Sequence, residues 1–220
     1  MADIDIDSIL EKSEKKEEEK KKKDALKKIA IIAAAAAAVI LAAVVVGMLV
    51  LGEPSARYFP MDGRTKYIYN RKNKSPEEWQ FKKNPELYGG FECSVLNRIN
   101  QADYSSIQEY YVREKKGIIK LAVSKDMGVK KPEKMRLLPE RLKTGLEFDA
   151  GMIKNTPIIG RIVSREDLST PVGDCRGYKI EYKAGKYIDM DVWYCKDVGV
   201  VRSVDRVSGG ETGIISMVTK

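Results

Sequence analysis

Arg176-Gly177-Tyr178-Lys179-Ile180-Glu181-Tyr182-Lys183, then Ala184-Gly185-Lys186, then Tyr187-Ile188-Asp189-Met190-Asp191-Val192-Trp193-Tyr194-Cys195: this stretch decides the fold of the chain. Aromatic and β-branched residues alternate with charged ones in both runs. That period of two belongs to a strand with one buried face, whereas a helix would repeat every 3.6 residues. A glycine-containing turn of three residues joins the runs, which makes them an antiparallel hairpin. Asp189 and Asp191 share one face of the second strand, as Lys179 and Glu181 do on the first. The four read as cross-strand charge pairs on the solvated side, not as a general acid-base pair.

The same signals recur on both sides of this hairpin. Strands are expected at Lys66–Arg71, Phe91–Ile99, Ser106–Glu114, Ile118–Ser124, Ile158–Leu168, Arg176–Lys183, Tyr187–Cys195, Val200–Val207 and Ile214–Thr219. Turns at Lys115-Lys116-Gly117, Asp197-Val198-Gly199 and Ser208-Gly209-Gly210 are too short for crossovers, so consecutive strands are antiparallel neighbours. Gly63, Gly145, Gly173 and Gly199 stand where turns need positive φ, and Pro60, Pro139 and Pro171 at strand entrances. The fold expected is mainly β, a single curved antiparallel sheet forming an open or half barrel. Helix is expected only around Ser75–Gln80 and Glu133–Leu142.

Before this domain lies an uninterrupted apolar run, Ile29 to Leu51. At about 1.5 Å per residue it makes a helix of roughly 34 Å, enough to cross a hydrocarbon core of about 30 Å. Eight lysines lie in the stretch just before it (Lys15, Lys16, Lys20 to Lys23, Lys27 and Lys28), against Arg57, Arg64, Lys66 and Arg71 in the comparable stretch after it, which puts the tail on the cytoplasmic side. The competing reading, a cleaved signal peptide, fits less well because the run exceeds the usual apolar length of such a leader. The domains expected are a charged cytoplasmic stalk at 1–28, one long transmembrane helix at 29–51, a linker at 52–57 and a periplasmic β domain at 58–220. Ala38, Ala42, Ala43 and Gly47 have the small-residue spacing of a helix dimer.

Residues 1–28 hold nine acids and nine lysines, so the net charge of +8 resides in the β domain. Glu17 with Lys21, Glu18 with Lys22 and Glu19 with Lys23 support a solvated helical stalk. Ahead of it, Asp3-Ile4-Asp5-Ile6-Asp7 with Ile9 and Leu10 offers a docking motif for a cytoplasmic protein, its apolar positions being Ile4, Ile6, Ile9 and Leu10.

Tyr58-Phe59-Pro60-Met61-Asp62-Gly63-Arg64 leading into Tyr67-Ile68-Tyr69, Leu138-Pro139 with Leu142-Lys143-Thr144-Gly145-Leu146-Glu147-Phe148, Thr170-Pro171-Val172-Gly173-Asp174-Cys175, and Trp193-Tyr194 before Val198-Gly199-Val200-Val201-Arg202 follow one another in a familiar order. The chain resembles a group of bacterial envelope domains of unknown function, whose fold is similar to the open β-barrel of the lipoprotein-carrier proteins. The resemblance spans Tyr58 to Arg206. It implies an apolar groove on the concave face that holds a lipid or lipoprotein ligand. Tyr67, Tyr69, Tyr110, Tyr178, Tyr182 and Trp193 are the candidates to line such a groove, and the same residues serve equally to fill a core.

There is no histidine in the chain. The commonest general base and zinc ligand is therefore missing, together with every Ser-His or Cys-His nucleophile. Gly209-Gly210-Glu211-Thr212-Gly213 lacks the lysine of a phosphate-binding loop and reads as a hairpin turn. No catalysis, metal or cofactor is expected. Cys175 and Cys195 lie ten residues either side of Gly185, which would set them opposite each other as a disulfide, leaving Cys93 as the odd thiol. Lys115, Lys116, Lys130, Lys131, Lys134, Arg136, Arg141 and Lys143 contribute a basic face. Outside the cytoplasm this suits anionic lipid headgroups or cell-wall polymers, not nucleic acid.

The function expected is that of a single-pass protein of the bacterial inner membrane whose periplasmic domain binds an apolar ligand or a protein partner. The alternative is a structural subunit of an envelope-spanning assembly that recruits a cytoplasmic partner through residues 3–10.

Overall fold

The computed structural model describes residues 27, 33–43, 45–47, 52–72, 74–122 and 133–219. Two compact units divide the chain, Met1–Leu51 and Gly52–Lys220. In the first, residues 33–43 and 45–47 are helical. Among the described residues no helix is long and apolar enough to cross a membrane. Both ends of the expected span and the tail motif Ile4, Ile6, Ile9 and Leu10 lie outside the described residues.

The second unit opens with β1 (Glu53–Pro54) and a 3-10 turn, Ser55–Tyr58. Then follow β2 (Thr65–Arg71), β3 (Lys74–Phe81), β4 (Glu86–Tyr88), β5 (Phe91–Asn100), β6 (Ser106–Glu114), β7 (Gly117–Ala122), β8 (Glu133–Pro139) and β9 (Arg141–Leu142). The chain continues through β10 (Glu147–Ile153), β11 (Thr156–Thr170), β12 (Gly173–Ala184), β13 (Ile188–Cys195), β14 (Gly199–Asp205) and β15 (Gly210–Thr219). One antiparallel path runs β10-β11-β12-β13-β14-β15-β2-β3-β5-β6-β7-β8, with β4 folded onto β5 and β1 paired with β9. Its first and last strands come together without sharing a ladder. A Cβ on Gly151 of β10 would stand 2.6 Å from the Lys134 carbonyl of β8. The sheet is thus a nearly closed barrel, tighter than the open one expected.

All nine strands expected from period-two alternation are present, as β2, β5, β6, β7 and β11 to β15. Two expected helices are strands instead. In β3, Pro76 followed by Glu77 and Glu78 imitates a helix start, yet Trp79 pairs with Tyr67 and Glu77 with Tyr69. Pro76 falls where the β2–β3 ladder skips a residue, the place in a sheet where a missing N–H does least harm. Glu133–Pro139 forms β8 because Ile118 and Leu138 pair across to β7 and are fully buried.

Residues 52–57, expected as a linker, belong to the domain. Gly52 packs against the Leu142 carbonyl, Ser55 N–H donates to the Glu140 carbonyl, and Tyr58 is fully buried. Tyr58 meets the ring of Tyr178 edge-on at 5.2 Å, and Phe59 lies 5.1 Å from Tyr111 and 5.8 Å from Phe81. The entry segment therefore plugs the barrel. Around it close Leu96, Ile118, Phe148, Ile162, Ile180, Tyr182, Val192 and Tyr194, drawn from strands all round the sheet.

β14 and β15 share four residue pairs, from Asp205 with Gly210 to Arg202 with Gly213. Beyond Arg202, β14 stays with β13 while β15 stays with β2, so the two strands fork. At the same end of the sheet the β11–β12 hairpin runs past its neighbour, since the β12–β13 ladder stops at Gly177 with Cys195 while β11 and β12 remain paired to Thr170 with Gly173.

Candidate functional site

Inside the barrel, the expected groove residues Tyr67, Tyr69, Tyr178 and Tyr182 are all buried. Tyr182 donates to the Leu137 carbonyl, and Tyr69 to the Val200 carbonyl at 2.7 Å. A void of about 20 Å³ lies beside Tyr67 and Tyr69, between them and Phe59, Trp79 and Phe81. Tyr110 and Trp193 are elsewhere: Tyr110 stacks on Tyr88 at 4.1 Å, and Trp193 lies between the cations of Lys179 and Arg202. The six aromatics do not converge on one groove. Tyr67 and Tyr69 belong to one buried cluster and Tyr178 and Tyr182 to another, with Trp193 packed against the first and Tyr110 against a third.

The same inner face carries charge. Residues two along from Phe81, Leu96 and Tyr111 on their strands are Trp79, Arg98 and Glu109, which share the inward side. Arg98 lies 4.5 Å over the Trp79 ring and bridges Glu77 at 2.7 Å and Glu109 at 2.8 Å. Glu77 also accepts from Arg71 and from the Trp79 indole, and Glu109 from Lys120 and the Tyr111 hydroxyl. Both carboxylates are nearly buried and both oxygens of each have donors. Burial alone would raise the Glu77 pKa, but the hydrogen bonds from Arg98, Trp79 and Arg71 outweigh it and bring it down to about 2. Glu109 is lowered in the same way, burial being overcome by Lys120 and Arg98.

A pH dependence follows. Carboxylates whose folded pKa is depressed stabilise the fold above their unfolded value of about 4.5 and lose that contribution as pH falls toward about 2. The buried phenols act oppositely. Burial raises Tyr67 to about 12 and, against the Tyr182 hydrogen bond, Tyr194 to about 12, so their contribution is complete below about 10 and lost as pH climbs to 12. Thermal melts should show a plateau from about pH 5 to 9, with falling limbs on both sides.

On the outer side, Asp189 and Asp191 do pair with Lys179 and Arg206: Lys179 reaches Asp191 at 2.9 Å, while Arg206 holds Asp189 at 2.6 Å and Asp191 at 2.5 Å. Asp191 is buried under them, not solvated as expected, and its Oδ1 has no hydrogen-bond partner among the described residues. Among the basic candidates, Lys134 pairs with Glu114 and lies over Phe91, Arg141 donates to the Gly52 carbonyl, and Lys115, Lys116 and Lys143 are exposed. Lys130 and Lys131 lie outside the described residues.

Cys175 and Cys195 form a disulfide, with Cα atoms 5.9 Å apart. They are not directly opposite: Gly177 faces Cys195, and Cys175 is its diagonal neighbour. The turn is centred on Lys186, one residue later than expected, because Ala184 pairs with Ile188. Gly177 makes the diagonal bond feasible, since a Cβ there would crowd the Cys195 Sγ at 3.2 Å. The bond staples the overhanging β11–β12 hairpin to β13. Reduction, or Cys175→Ser, should cost about 3 kcal/mol on the loop-entropy model, measured as a shifted urea midpoint. Cys93 is free and buried.

Two solved structures are similar to this chain. One, from Bacteroides fragilis NCTC 9343, is described as a protein inferred to be exported, with a YmcC-like fold; it is 15% identical, with a TM-score of 0.48, over 73% of this chain and 98% of that one. The other, from Parabacteroides distasonis ATCC 8503 and thought to be a lipoprotein, is 12% identical, with a TM-score of 0.40, over 73% of this chain and 98% of that one. No protein-family model matches the chain, and no curated protein does.

A concavity that sequence reasoning missed lies at the fork. It measures about 340 Å³ and is lined by Leu168, Pro171, Trp193, Val201, Ile214 and the Arg202–Glu211 pair. The stapled hairpin supplies one wall, and β13, β14 and β15 supply the rest. Trp193 is held by its indole N–H donating to Glu166 at 3.2 Å. The only signal in the sequence was an aromatic on the strand face otherwise given to charges.

Proposed function

We propose that this is a membrane-anchored protein whose β domain works outside the cytoplasm as a docking module for another protein, without catalysis. The filled interior carries the choice of ligand class. A void of about 20 Å³ is far below the roughly 300–1,000 Å³ of small-molecule sites, so a barrel of this kind is a poor carrier of an acyl chain and a good rigid scaffold. The uninterrupted apolar run Ile29–Leu51 supports the anchor, and the disulfide supports an oxidising compartment. The absence of histidine supports a non-catalytic role, as do carboxylates locked by cations at Glu77 and Glu109.

Two measurements test the proposal. Protease added to intact spheroplasts should digest the β domain while the chain stays in the membrane fraction until detergent is added; a protected domain, or a shortened soluble product, overturns the anchor. Native mass spectrometry of the intact chain should show bare protein. A stoichiometric retained lipid would return the domain to the carriers.

A further inference from the structure

We propose that the concavity at the fork receives an anchor from a partner protein, one large apolar side chain beside a lysine or arginine; this rests on the docking role proposed above. Leu168, Pro171, Trp193, Val201 and Ile214 give the concavity of about 340 Å³ an apolar lining. It is open to solvent, and its volume stands at the low end for small-molecule sites. Such sites cover about 70–90% of their ligand, which an open concavity does not do. A side chain on a partner is covered on its remaining sides by the body that carries it, so the opening suits an anchor residue. The site is also formed in advance. Cys175–Cys195 staples the hairpin bearing Leu168 and Pro171 to β13, and the Trp193 indole is tied to Glu166, so little ordering is left for the partner to impose.

Charge identifies what must stand beside the anchor. Glu166, Arg202 and Glu211 are the charged residues of the lining. Arg202 and Glu211 pair at 2.8 Å, whereas Glu166 is in no ion pair among the described residues. Its donors are neutral: the Trp193 indole at 3.2 Å and the Ser164 hydroxyl. Cations on the adjoining strands are matched elsewhere, Lys179 by Asp191 at 2.9 Å, Arg176 by Asp167 at 3.6 Å and Arg165 by Glu53. Asp174, which accepts from Ser169 of the lining at 2.8 Å, is a second acid outside any ion pair among the described residues. The surplus charge is therefore negative. A purely apolar cover would bury Glu166 with that charge unmatched, at a cost that a cation removes. Each carboxylate oxygen has one donor and capacity for another. Glu166 and Leu168 are two residues apart on one strand face, about 7 Å, so a basic side chain next to the anchor reaches the carboxylate while the anchor meets Leu168.

The test uses the full chain in lipid nanodiscs and a head-to-tail cyclised hexapeptide that presents adjacent Trp and Lys. Binding should saturate, and a photoreactive version of the peptide should label residues 166–171 or 211–214. Peptides with Ala for Trp, or Glu for Lys, should bind at least about tenfold more weakly. Glu166→Gln should weaken the Lys peptide by a similar factor yet leave a norleucine peptide unchanged, a difference that loss of packing alone does not produce. Absence of saturable binding, labelling confined to another surface, or equal binding of the Lys and Glu peptides would overturn the proposal. So would free phenethylamine binding as tightly as the peptide, which would make the concavity a small-molecule site. Because labelling of the unmodified chain decides the location, a misfolded variant does not rescue it. Failure here with the spheroplast result intact leaves the anchored docking role standing and moves the surface elsewhere.

Discussion

Gly117→Ala is expected to be the most damaging single-methyl change in the domain, lowering stability by about 3–5 kcal/mol. Gly117 opens β7 at φ 128°, a conformation that L side chains rarely adopt, and the added carbon would stand 1.9 Å from the Leu138 carbonyl. That carbonyl belongs to β8, whose Leu138 is fully buried, so relief would require the backbone to shift at the barrel's last strand. Gly213→Ala is the control. It has nothing within 4 Å and no positive φ, and should change the melting temperature little. Equal melts for the two variants would show that the closing strand yields freely.

Arg98→Met should cost nearly as much, about 3–5 kcal/mol, because it strips one cation from two nearly buried carboxylates at once. Methionine keeps the stem over Trp79 but replaces none of the hydrogen bonds. Glu77 would retain Arg71 and the indole, and Glu109 would retain Lys120 and Tyr111. With fewer donors, the folded pKa of Glu77 moves up from about 2 toward its unfolded value. The acid limb of the stability profile should therefore shrink in amplitude as well as the plateau falling. The double variant Arg98→Met with Glu77→Gln should recover part of the loss, since one uncompensated charge is gone; no recovery would mean that Arg98 acts through packing alone.

The hairpins that follow β6, β12, β13 and β14 were legible because their strands alternate and their turns carry a glycine, as around Gly185 and Gly199. β3 was not. Pro76, Glu77 and Glu78 favour a helix start locally, and only the neighbours Tyr67 and Arg98 make Trp79 worth more in a strand. β10 escaped notice because its inward residue Phe148 lies over Gly160, filling space that the smaller partner leaves. A sequence shows the aromatic but not the absence opposite it. For the candidate site, the cysteine pair was readable from spacing, while its register depended on a single turn residue. The fork was invisible, since a ladder that stops at Arg202 depends on how far β14 and β15 diverge in space, not on any residue in them.

Closure between β2 and β15 has a consequence for biogenesis. Delivered from its N-terminus, the chain presents β2 and the plug residues Tyr58 and Phe59 long before β12, β13 and β15 emerge to cover them. Pairing of such remote segments is slow, and the waiting intermediate bares aromatic surface. Maturation is thus expected to depend on a holding chaperone wherever the domain folds, and depleting it should leave this chain to aggregation or proteolysis before it affects proteins built from local hairpins alone.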